Sequence, residues 1–295
     1  AEARPPLSKA HDPYPEAIFA SAPACTPQAR PPQPSRRATR RGAFGVGALT
    51  LPPMTSRFFR REIAWGAYAA VLDLVPPPGV GAPEAQANIA PHAMAPIFRF
   101  SAPALYPGDY APRGRLVVTP AFWAFTPVWH RPAPGDKPFA AFNARAETLA
   151  DSAVFSGAFR HGRCLVPASG YYAWSGSKGR ATPFALALRE RDWFCFAGLW
   201  SRAMIDGSEF DTFAIVTVAA NDLTAPFGDT MPAILEPADC ARWIDPLEPR
   251  PERLLKACPE DEMRLWPAHP DVGNVRNQGP EMTREQETGE QEGGD

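Results

Sequence analysis

Within five residues, Asn143, Arg145 and Glu147 set an amide, a guanidinium and a carboxylate into a stretch otherwise rich in Ala, Phe, Val and Leu. Their chemistry is hydrogen bonding and charge pairing: the amide donates and accepts, the guanidinium presents forked donors, and the carboxylate accepts. A second block follows, Arg163-Cys164-Leu165-Val166-Pro167-Ala168-Ser169-Gly170-Tyr171-Tyr172-Ala173-Trp174. Between the blocks, Ala153, Val154, Ala158 and Phe159 recur at a helical spacing, so the order reads as polar loop, short helix, buried strand and aromatic turn. Such an order holds polar side chains beside a packed wall. The competing reading is a satisfied surface loop in which Arg145 pairs with Glu147.

The elements that must position these residues come from the rest of the chain. At 295 residues, with 45% hydrophobic and 21% charged residues, it can bury a substantial core. A formal net charge of -2 argues against a protein that coats nucleic acid nonspecifically, while leaving room for a local basic groove. The five cysteines (Cys25, Cys164, Cys195, Cys240 and Cys258) form no CxxC pair, so no metal and no cofactor is expected. Cys164 and Cys195 lie in apolar, strand-like runs and read as buried thiols, which suits a reducing compartment. No apolar run reaches bilayer length and the opening residues show no secretory pattern, so a cytoplasmic protein is expected.

Residues 1–53 hold 11 prolines and seven Lys or Arg against three Asp or Glu, without apolar periodicity. They read as a disordered Pro/Arg-rich extension or a mis-assigned start, because composition changes at Met54-Thr55-Ser56-Arg57-Phe58. A helix is predicted over Ile63–Leu74, stopped by Pro76-Pro77-Pro78. Strands are predicted at Ala95–Phe100 and Arg115–Val118, the latter leading into the aromatic run Phe122–Trp129. Pro183–Arg189 and Trp193–Trp200 read as paired strands turned at Glu190-Arg191-Asp192, and Phe213–Val218 as a central strand. Glu236–Ile244 and Glu252–Ala257 read as short surface helices. After Pro280, six acids and one Arg form an expected frayed tail over 281–295. With no regular helices between strands and no Gly-rich phosphate loop, this is one mixed domain over 54–280.

On these residues the sequence resembles the SOS response-associated peptidase family, also called SRAP or DUF159. Asn143–Thr148 matches its Asn-Ala-Arg-x-Glu-Thr motif, and Arg163–Trp174 follows its Arg-Cys-Leu-Val-Pro-Ala-x-Gly-Phe-Tyr-Glu-Trp pattern. Asn88–Pro91, Trp123–Trp129, Met231-Pro232 and Gly273–Asn277 add matches in order. The resemblance implies an α+β domain around a curved, barrel-like mixed or antiparallel sheet. It also implies a protein that binds single-stranded or abasic-site DNA as a monomer, associated with the nucleoid when bound.

Family members form a thiazolidine through an amino-terminal cysteine, with a glutamate and a histidine moving protons. Carried over, these positions fall at Thr55, Ala173 and Gly228, so the chemistry reads as lost or altered. One alternative is a residual crosslinker using Thr55 as its amino terminus; another is a protein-interaction scaffold. No hydrolytic site is visible behind the peptidase name. The binding half is better matched: Asn143 to a sugar or base edge, Arg145 and Arg57 to phosphates, and Trp123 or Trp129 to an unpaired base, with Asn88 in the groove. Glu147 is assigned as the partner that orients Arg145, and Arg60, Arg61, Arg160 and Arg163 read either as an extension of the positive track or as solvated surface arginines. Asn274 and Arg276 would buttress the groove. Cys164 is excluded as a substitute nucleophile by its apolar strand.

Overall fold

Runs of buried, mostly apolar residues are the material of two sheets. In a computed structural model of the chain, the described residues are 56–72, 81–101, 116–131, 139–176, 181–205 and 207–285. Residues 1–53 and Thr55 lie outside them. The strands are β1 (Arg57–Arg60), β2 (Gln86–Ile89), β3 (Met94–Phe100), β4 (Leu116–Trp123), β5 (Asn143–Arg145), β6 (Arg163–Ala168), β7 (Gly170–Ser175), β8 (Thr182–Leu188), β9 (Phe194–Ile205), β10 (Ser208–Ala219), β11 (Thr230–Pro232), β12 (Ile234–Leu235) and β13 (Met263–Pro267). The helices are α1 (Trp65–Leu72), α2 (Ser156–His161) and α3 (Pro237–Ile244). Among the described residues, no helix is long and apolar enough to cross a membrane.

Five strands close on themselves in the order β10-β4-β3-β6-β9 and back to β10. The closing pair is the long antiparallel β9–β10 hairpin, from Ser208 opposite Ile205 to Ile215 opposite Gly198. Its turn contains Gly207 at φ +79, the left-handed conformation that a tight hairpin needs. The β10–β4 pairing is parallel, with Phe213 beside Trp123. Closure removes the sheet edges around this ring, and the expected curved, barrel-like α+β domain is what forms.

A second sheet, β13-β8-β7-β1-β2, packs beside the barrel. β1 joins them through its period of two: Phe58 enters the main core, and Phe59 enters a smaller cluster with Tyr172, Ala185, Trp266 and Met282. Gly170 in β7 is needed for this contact. A Cβ there would stand 2.3 Å from the Phe59 ring and 2.6 Å from the Leu186 carbonyl oxygen.

Three expectations are corrected. β8 and β9 do not pair with each other; β8 lies between β7 and β13, and β9 belongs to the barrel. Residues 189–193 contain no positive-φ position to fold a tight hairpin, and they carry the chain from one sheet to the other. The helix expected at Glu252–Ala257 is a 3-10 turn at Pro251–Leu254. Of the acidic tail, Met282 and Thr283 are buried, Tyr172 Oη donates to the Met282 carbonyl at 3.0 Å, and Trp266 Nε1 donates to that of Arg284 at 3.1 Å, so the chain is held to the domain this far.

Candidate functional site

β5 lies along β10, with Asn143 beside Ile215, Ala144 beside Val216 and Arg145 beside Thr217. Strand alternation sends Ala144 into the core and puts Asn143 and Arg145 together on the opposite face. Phe142 supports them from within. Its carbonyl accepts from Trp123 Nε1 at 2.8 Å and from Ile215 N at 2.9 Å.

Arg145 does not pair with Glu147. Its Nη2 donates to Asp229 Oδ2 at 2.8 Å, with the two side chains 57% and 75% exposed. The hydrogen bond and charge of Asp229 raise the guanidinium pKa, and the same bond from Arg145 lowers that of the Asp229 carboxyl. Glu147 sits exposed on a 3-10 turn, Ala146–Thr148, and acts on Arg145 only as a smaller charge. Asp229 could not be found from sequence as the partner, because no local period links positions 84 apart.

Trp123 is a correction. It is fully buried, stacked 6.3 Å from Phe213 and edge-on to Phe58 at 5.2 Å, so it has no face for a base. Trp129 is 61% exposed, beside His130 and near the exposed Phe139. Asn88 is also turned inward. Its Nδ2 donates to the carbonyls of Val272 and Asn274, both at 3.0 Å, and of Asn277 at 3.3 Å. Its Oδ1 accepts from Arg57 Nη1 at 3.0 Å. Arg57 donates as well to the carbonyls of Val272 and Gly273 and lies over Trp174, and burial lowers its pKa. Asn88 and Arg57 therefore fasten the 272–278 stretch to β1 and β2. Asn274 Oδ1 caps Arg276 N within that stretch.

The extended positive track breaks up for the same reason. Arg60 is buried, bound to the Glu84 carbonyl and Gln86 Oε1, with its pKa lowered to about 10 by burial. Arg163 is buried against backbone carbonyls, and Arg61 donates to that of Thr283. Arg160 is exposed on α2. Cys164 is buried, and desolvation pushes its thiol well up, consistent with an inert core cysteine. Ala173 is fully buried in β7, opposite Phe184, and Gly228 is buried immediately before Asp229.

Comparison with known proteins bears on this arrangement. The chain is 30% identical over 171 residues to the abasic site processing protein YedK of Escherichia coli, covering 57% of this chain and 74% of that protein. It is 29% identical over 166 residues to the abasic site processing protein YoqW of Bacillus subtilis, covering 54% and 73%. A solved structure of a Bacteroides thetaiotaomicron protein shares the fold with a TM-score of 0.56 at 21% identity, over 77% of this chain and 92% of that one. The sequence model described as SOS response associated peptidase (SRAP) matches residues 59–275, and the chain belongs to that family.

Proposed function

We propose that this domain binds single-stranded DNA, including abasic-site DNA, through Asn143 and Arg145 on β5 and through the exposed ring of Trp129, with the covalent step lost or altered. The observation that carries this reading is the β5 register. It fixes an amide and an exposed guanidinium on one face of a strand backed by the closed barrel, roughly 7 Å apart along the chain. A guanidinium held this way suits a phosphate, an amide suits a sugar or base edge, and an exposed indole suits an unpaired base. The abasic site processing proteins among its relatives support the substrate class. Ala173 and Gly228, at the positions the resemblance gives to a glutamate and a histidine, transfer no proton, so binding without a stable adduct is the expected behaviour.

The test is a single-stranded oligonucleotide with one abasic site beside an undamaged control, run on native and denaturing gels. A native shift with no band surviving denaturation is expected. An abasic-dependent adduct that survives, formed by protein started at Met54 and beginning at Thr55 once the Met is removed, would overturn the loss of covalent chemistry and point to a crosslinker using the Thr55 amine. No shift on either gel would favour a protein scaffold.

Arg145→Ala is expected to weaken binding about tenfold and to make the dependence on log salt shallower by about 0.7, the value for one phosphate on a single strand. Unchanged affinity in a folded variant would remove Arg145 from the interface.

A further inference from the structure

The guanidinium on which this DNA-binding reading depends is already occupied in the free protein. Asp229 Oδ2 accepts from Arg145 Nη2 at 2.8 Å, the position a phosphate oxygen would take. The carboxylate is held by more than its own side chain. Thr230, the next residue, pairs with Ala219 on β10, and the Asp229 carbonyl accepts from Ala220 N at 3.2 Å. Arg145 pairs with Thr217 on the same strand. One strand therefore sets the spacing of both halves of the ion pair. Both side chains are more than half exposed, so an incoming anion can replace the carboxylate without first burying either charge.

We propose that Asp229 is a resident competitor for the Arg145 fork, displaced when a nucleic-acid phosphate binds. The proposal rests on the reading of Arg145 as a phosphate contact. A lone small anion gains little by exchanging with a carboxylate tethered at the same place. A strand with further contacts along the face can repay the exchange, so the pair favours a polyanionic chain over isolated anions. Glu147 does not serve this role, because it makes no hydrogen bond to the guanidinium in this arrangement.

The test measures binding of a fluorescently labelled oligo(dT) by the full chain as wild type, Asp229→Asn, Arg145→Ala and the double variant. Glu147→Gln serves as a control for loss of a nearby negative charge, and circular dichroism confirms folding of each. Asp229→Asn is expected to bind about two- to fivefold more tightly, the scale of one exposed ion pair. That gain should vanish in the Arg145→Ala background and exceed the gain from Glu147→Gln. An equal gain with and without Arg145 would reduce the effect to net charge and overturn the proposal. Weaker binding by Asp229→Asn while Arg145→Ala also weakens would make Asp229 a positioning residue for Arg145, overturning the competitor role while keeping the DNA-binding reading. Absence of binding by both wild type and Asp229→Asn would sink that reading, and the competitor role with it.

Discussion

Trp123→Ala is expected to cost the fold about 3–5 kcal/mol, as for a fully buried tryptophan, whereas Trp129→Ala should stay within about 0.5 kcal/mol of wild type. For DNA the order reverses in cause. Loss of the exposed Trp129 ring should weaken single-strand binding by about 1–3 kcal/mol, the worth of one stacked base. Trp123 fills the space between Phe58 and Phe213, and its indole N–H satisfies the carbonyl of Phe142, next to Asn143. Its removal leaves a cavity under β5, so any effect on DNA should follow the loss of order in that strand. Thermal melts and oligonucleotide binding of the two variants separate the roles. A Trp123→Ala protein as stable as wild type would refute the core assignment. Unchanged DNA affinity in Trp129→Ala would remove the stacking platform.

The contrast between these two tryptophans shows where sequence reading stops. Both stand in one aromatic run, too rich in rings for one strand face to bury, and that excess was legible. Which ring is buried depends on the β4–β10 pairing. It places Trp123 beside Phe213 at the end of β4, after which the chain leaves the sheet. Local patterns fared well where local physics decides. Arg163–Ala168 became a strand buried along its length, Phe213–Val218 became the buried second half of β10, and the motif glycine Gly170 lies where a side chain would strike Phe59. Long-range partners were hidden. Asp229 meets Arg145 only because β10 carries both neighbours, and Asn88 spends its amide on carbonyls nearly two hundred residues away. Arg57, Arg60, Arg61 and Arg163 were misread for one reason: a positive residue type does not reveal whether the residue is exposed, as Arg145 and Arg160 are, or bound to the protein's own carbonyls.

Arg163 is the case with the largest consequence. It sits at the start of β6, and its guanidinium reaches the ends of two helices: the carbonyls of Phe159 at 2.6 Å and Arg160 at 3.3 Å in α2, with those of Trp243 in α3 and Asp245 just beyond it. Those helix-terminal oxygens lack partners farther along their own helices and carry the negative end of the helix dipole, so one planar cation satisfies both ends. Burial lowers the Arg163 pKa, with Asp245 and Glu248 partly restoring it through their charge. Arg163→Ala would strand buried carbonyls and leave a void beside Trp243, an expected loss of about 3–5 kcal/mol and a fall in Tm on the order of 10 °C. Arg163→Lys should recover only part of this, because a single ammonium cannot span the same fork of acceptors. Neither change should alter the salt dependence of DNA binding by the folded fraction. A shallower salt slope at unchanged stability would return Arg163 to the phosphate track, whereas an unfolding midpoint that falls alone fits a guanidinium whose ligands are the protein's own backbone.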